Sequence, residues 1–171
     1  KEWDDLINKL SPLAYNDDHL YLAAESAPQT YEDIRFTSDH MAVLGALGIL
    51  PSNRLINETY MRNTLHWVWD NWNWDKTWGW DYPMTAMNAT RLGEPEKAVS
   101  ALLMDKRTNT YLVNGHNYQD VRLRIYLPGN GGLLTAIALM CAGWDGCTVD
   151  NPGFPKDGRW NVKWEGLKKM P

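Results

Sequence analysis

Residues 81–103, DYPMTAMNATRLGEPEKAVSALL, decide the fold. Asp81 stands where a helix N-cap should be, and Pro83 falls in the first turn, where its missing N–H is tolerated. Met84, Met87 and Leu92 supply apolar positions, and Gly93 closes the helix as its C′ residue. Glu94-Pro95-Glu96 then opens a second helix carrying Ala98, Val99, Leu102 and Leu103. So short a connection turns the chain back on itself, and the unit reads as a helical hairpin.

Working outward, the same pattern recurs. Trp3, Leu6, Ile7 and Leu10 give helical spacing over 2–10, stopped by Ser11-Pro12. Residues 13–37 read as irregular, with Tyr21 to Ala24 as a short extended piece. Ser38 or Asp39 can cap a helix through Met41, Leu44, Ala46 and Leu47 that Pro51 ends. Asn57 can cap another through Tyr60, Met61, Leu65 and Val68. After a polar and aromatic loop over 105–128, Asn130-Gly131-Gly132 leads into a helix that is apolar nearly all round and therefore expected to be central. Past Gly143, Asp157-Gly158 marks a turn, and Trp160, Val162 and Trp164 alternate as in a strand.

Helices at 39–49, 81–92 and 131–142 are rich in Gly, Ala and Met, whereas those at 57–70 and 94–104 carry charge on one side. Antiparallel succession would place the first set inside and the second outside. The inner N-termini would then gather Asp39, His40, Asp81 and Asn130 at one end. The expected class is all-α, with residues 1–150 as the helical domain and 151–171 as a short β segment or tail.

Immediately upstream of the hairpin lies WVWDNWNWDKTWGWD, Trp67 to Asp81, which holds six of the chain's ten tryptophans. Indoles interleaved with carboxylates and amides suit a ligand that is both ring-shaped and hydroxylated. A sugar fits, because its C–H face stacks on Trp while short polar side chains bond its hydroxyls. The same indoles could instead staple loops onto the helical scaffold.

Composition narrows the field. The formal net charge of −4, the pI near 5.5 and the absence of any basic cluster beyond Lys168-Lys169 argue against a nucleic-acid partner. No apolar run approaches the roughly 18 residues of a membrane span. Cys141 and Cys147 make no disulfide framework, His19, His40, His66 and His116 lack zinc-site spacing, and no phosphate-binding glycine loop occurs, so neither metal nor cofactor is expected. Asn57-Glu58-Thr59 and Asn88-Ala89-Thr90 match glycosylation sequons and are assigned to chance. The chain starts on Lys1 without a signal peptide, and the start reads as processed or cut out of something longer.

SDHMAVLGALGILP (38–51), GWDYPMTAMNATRLGEPEKAVSALL (79–103), NGHNYQ (114–119) and LPGNGGLLTAIALM (127–140) resemble, in that order, the C-terminal half of the catalytic domain of glycoside hydrolase family 95. The wider group is the six-hairpin glycosidases with an (α/α)6 barrel. The resemblance covers roughly residues 36–145. It implies a partial (α/α)6 toroid of about six helices, with the N-terminal half of the domain as the missing partner. Twelve helices with connections need roughly 190–200 residues, more than this chain has. It also implies an oligo- or polysaccharide substrate, an inverting two-carboxylate hydrolysis, and a periplasmic or secreted location. The family's base aspartate precedes its Gly-Asn pair, where this chain has Pro128, and the family's general acid lies upstream of the matched region. Asp81 stands where the family has a serine after Gly-Trp, and His116 matches a family histidine.

Glycoside hydrolysis needs two carboxyl groups flanking the scissile bond. Asp81 is the leading catalytic candidate, since Trp80 and Tyr82 could desolvate it while the helix N-terminus favours its ionised form. Asp120 is the candidate second carboxylate. Trp72 and Trp74 are the expected stacking platforms, and Trp78, Trp80 and Tyr82 the rings around Asp81. Asp39, His40, His116, Asn117, Gln119 and Asn130 complete the substrate-binding set. The alternatives are a non-catalytic carbohydrate-binding or scaffold module, or a lyase or phosphorylase on the same toroid.

Overall fold

The computed structural model describes residues 2–171 and is mostly helical. Its helices are α1 (Glu2–Asn8), α2 (Ile34–Thr37), α3 (Glu58–Asn71), α4 (Asp81–Arg91), α5 (Pro95–Leu102) and α6 (Leu127–Ala142). Two short strands, β1 (Thr110–Tyr111) and β2 (Asn117–Tyr118), pair antiparallel.

The hairpin forms as its sequence requires. Gly93 adopts φ +72°, the left-handed conformation of a C′ glycine, and Pro95 opens α5. Every residue of α4 from Asp81 to Thr90 is buried, so α4 is the axis of the fold. Asn57 caps α3 as expected, its Oδ1 accepting from the Thr59 and Tyr60 amides. Met61, Leu65 and Val68 of α3 pack into the same core as Leu44, Leu47, Met87 and Ala98.

Directions follow from what the helix ends touch. Tyr82, in the first turn of α4, bonds Thr108 just past the end of α5, and Arg62 near the start of α3 donates to the Leu92 carbonyl at the end of α4. Both neighbours therefore run antiparallel to α4. A methyl on Gly132 would lie 2.8 Å from Pro83, and the Arg91 guanidinium sits 5.1 Å from the Trp144 ring, so α4 and α6 run side by side in the same direction.

Four expectations need correction. The segment 39–49 is a single 3-10 turn, Ala42–Leu44, followed by turns. The Asn88 amide takes the Leu44 and Leu47 carbonyls at 3.3 and 2.7 Å, acceptors that a longer helix would use itself. Gly48 then turns at φ +134°, with so little room that a methyl there would meet the Asn88 backbone nitrogen at 2.9 Å.

The last helix begins at Leu127, four residues before the expected start, because Pro128 suits a first turn. It is not central: it buries Ala136, Leu139, Met140 and Cys141 on one side and leaves Leu127, Leu134 and Ile137 exposed, Leu134 by 70%. The tail forms no strand. Trp160 and Trp164 lack a backbone partner strand; Trp160 lies against Phe154, and Trp164 donates to Asn151 at 2.9 Å. Met170 makes only an isolated bridge with Trp144.

Candidate functional site

Asp39, His40, Trp78, Trp80 and Asp81 meet at the end of the molecule where α4 and α6 begin. Asp81 is the first residue of α4 rather than its cap, and its carboxylate turns back over the preceding loop. Its Oδ2 accepts from the Thr77 hydroxyl at 2.5 Å and from the Trp78 amide at 2.8 Å. The Thr77 oxygen also lies 3.1 Å from the Asp39 carbonyl, but a hydroxyl has one proton, and the short bond to the carboxylate is the stronger. Asp81 is fully buried, and its Oδ1 has no hydrogen-bond partner.

Oδ1 faces His40, whose Nδ1 is 3.6 Å away. The other ring nitrogen, Nε2, is 3.8 Å from Asp39 Oδ1. Two carboxylates thus bracket one imidazole ring. They differ in access: the side chain of Asp39 is 61% exposed and that of His40 36%, against none for Asp81. Asp39 Oδ1 also accepts from the Trp78 indole at 2.6 Å, and His40 Nδ1 accepts from the Trp80 indole at 2.5 Å. The Asp81 carboxylate beside the ring, and to a lesser degree the charge of Asp39, raise the His40 pKa against the opposing effect of burial.

This arrangement corrects the role given to Asp81. Asp81 has no solvent access and lies behind His40, with its Oδ1 3.6 Å from Nδ1, so it is not the carboxylate of the cluster that meets solvent. The groups able to meet a ligand are Asp39, His40 and the half-buried rings of Trp78 and Trp80.

Sequence reading missed two members of the cluster. Tyr126, just before α6, has its ring 5.5 Å from Trp78. Its phenol is pushed up to about 12, by burial first and then by the charges of Asp81 and Asp39. Thr77 was the other; a hydroxyl four residues before an N-terminal aspartate was the available signal.

Other candidates hold the scaffold. Trp72 and Trp74, the expected stacking platforms, are only 5% and 9% exposed. Trp74 lies 5.6 Å from Tyr82 in a stack and donates to the Trp69 carbonyl, so it has no open face for a sugar. Tyr82 is fully buried, bonding the Trp74 carbonyl and Thr108, and burial raises its phenol to about 12. Trp67 and Trp69 belong to the last turns of α3, with Tyr31 against the first and Lys97 over the second.

Asn117 is buried between Gly79 and Gly129, its amide donating to the Thr108 and Thr110 carbonyls. Asn130 Oδ1 accepts from the Asn117 backbone amide, and its Nδ2 donates to the Gly115 carbonyl. Gln119 accepts from the Gly79 amide and donates to the Thr77 carbonyl. These three fasten the tryptophan loop to α6 and the β-hairpin. Asp120 closes a turn through the Arg122 and Leu123 amides, and those bonds hold its carboxyl below the usual range. His116 is half-buried, and its Nδ1 has no hydrogen-bond partner.

Asn88 is fully buried inside α4, which removes its sequon from the surface, and Asn57 serves as the α3 cap. Among the described residues, no group of three or more His, Cys, Asp or Glu side chains is placed to hold a metal ion, and no helix is long and apolar enough to cross a membrane. No family model, curated protein or solved structure matches the chain.

Proposed function

We propose that this chain is part of a glycoside hydrolase catalytic domain and that the end carrying Asp39, His40, Trp78 and Trp80 faces the sugar. The observation that carries this reading is an exposed carboxylate and a half-open imidazole set among partly exposed indoles. Asp39 is the one carboxylate of the cluster with free access, and therefore the candidate acid or base. Flat indole edges suit a pyranose face, and the carboxylate and imidazole suit its hydroxyls.

Half of an (α/α)6 toroid is the architecture this reading favours. Two observations support it: α4 and α6 lie parallel with their first turns together, and α6 keeps an apolar face, Leu127, Leu134 and Ile137, turned to solvent. Further hairpins closing the ring would cover that face. The second carboxyl group of an inverting pair would come from those hairpins.

A binding module without catalysis is the second reading, and the burial of Asp81 favours it, since one exposed carboxylate alone does not make a hydrolytic pair. Incubating the complete protein, with the hairpins that close the ring, with a panel of oligosaccharides, and Asp39→Asn in parallel, separates the two. Cleavage by the parent protein that Asp39→Asn abolishes supports the hydrolase; binding without cleavage supports the module; neither binding nor cleavage of any glycan rejects both.

A further inference from the structure

The buried oxygen of Asp81 is orphaned, and the His40 nitrogen beside it is already in use. Oδ1 has no hydrogen-bond partner although it belongs to a fully buried carboxylate. Such an orphan is costly and calls for an explanation. His40 Nδ1 lies 3.6 Å from it. That nitrogen accepts the Trp80 indole N–H, so its lone pair is occupied and it carries no proton. The neutral ring therefore has its proton on Nε2, towards Asp39.

We propose that His40 is a two-position proton switch: Trp80 holds the neutral ring with Nδ1 as acceptor, and protonation turns Nδ1 into a donor to Asp81 Oδ1. The proton comes from solvent through the open side of the ring. When Nδ1 gains it, the lone pair that accepted the Trp80 N–H is consumed, and that hydrogen bond must break. Once freed from Trp80, the ring moves to close the 3.6 Å gap, and the new Nδ1–H donates to Oδ1, satisfying the orphan with a charge-assisted bond. Trp80, once released, is only half-buried.

Both carboxylates beside the ring point the same way. Asp39 from the preceding residue and Asp81 from the start of α4 both stabilise the cation, and Asp81 has the larger effect. Tyr126, from the start of α6, remains a neutral phenol through the relevant range, since it is pushed up to about 12. The rings of Trp78 and Trp80, at 5.2 and 5.0 Å, supply the remaining walls and carry no charge.

Because Trp80 lies in the wall of the proposed sugar site, the switch would couple the position of a ligand-facing indole to pH. This use rests on the proposed function; the switch itself does not. Nitrogen-15 NMR of the imidazole and indole groups, followed through a pH titration without any sugar, tests it. Above the His40 midpoint the ring proton should sit on Nε2 and the Trp80 indole N–H should be shifted by its bond to nitrogen. Below it, both ring nitrogens should be protonated and the Trp80 resonance should move with the same midpoint.

Asp81→Asn should lower that midpoint by about one pH unit or more, a tenfold loss of proton affinity. Trp80→Phe, which deletes the competing donor, should raise it. A neutral ring protonated on Nδ1, or a Trp80 resonance that ignores the His40 titration, overturns the proposal. If Asp81→Asn does not fold, Trp80→Phe decides alone, and an unchanged or lowered midpoint overturns the switch. An intact switch in a protein that neither binds nor cleaves glycans would reject only the proposed function.

Discussion

Gly129→Ala tests the clamp that fastens the tryptophan loop to α6. Gly129 lies in the first turn of a helix, where alanine is favoured over glycine by about 0.5–1 kcal/mol, so helix propensity alone expects stabilisation. Space says otherwise. A methyl on Gly129 would fall 2.3 Å from Asn117 Oδ1 and 2.7 Å from its Cγ. Asn117 is fully buried and pinned by its two amide bonds, so it cannot swing aside freely. Overpacking costs about 1–3 kcal/mol, and losing those two bonds adds roughly 1 kcal/mol each. Net of propensity, Gly129→Ala should destabilise by about 2–4 kcal/mol. Urea unfolding followed by tryptophan fluorescence reads this as a midpoint lowered by roughly 1–2 M. In an Asn117→Ala background the closest obstacle is the residue-117 Cβ, at 3.1 Å. There the same substitution should be neutral or stabilising, a coupling of about 2 kcal/mol or more. Equal effects in the two backgrounds, or stabilisation in the parent protein, would refute the clamp.

Three further outcomes follow from the same geometry. Trp74→Ala should cost about 3–5 kcal/mol of stability, as expected for a buried indole in the core, measured by urea unfolding. Asp120→Asn should leave any glycan cleavage at the parent rate, since that carboxylate serves a turn; a rate assay showing its loss would restore Asp120 to the site. His40 has a raised pKa in the fold, so its contribution to stability is fully present below the unfolded value of about 6.5 and is lost as pH rises through the folded value. The stability gap between the parent protein and His40→Gln should therefore narrow from pH 5 to pH 9, and a gap that widens contradicts the pairing with Asp81.

Helices with clear punctuation were legible in the sequence: Asn57, Gly93 and Pro95 mark ends that the fold uses. The 39–49 segment was not, because its apolar spacing is helical while the Asn88 amide, 41 and 44 residues away, claims its carbonyls. Hydrophobicity all round α6 pointed to a central helix, but periodicity cannot say which elements are there to cover each face. The six indoles of the tryptophan stretch looked alike in sequence. Burial separated them, sending Trp72 and Trp74 inward and leaving Trp78 and Trp80 at the rim. Asp39, His40 and Asp81 were legible as one cluster at the helix starts. Their division of labour was not, since it depends on which carboxylate reaches solvent, and Tyr126 enters only through a contact across 48 residues.

Assigned indole and imidazole resonances followed during titration with neutral oligosaccharides would test the central claim most directly. The account predicts that the side-chain signals of Trp78, Trp80 and His40 shift together, while those of Trp72 and Trp74 stay fixed. Shifts confined to other parts of the chain, or none with any sugar, would contradict it.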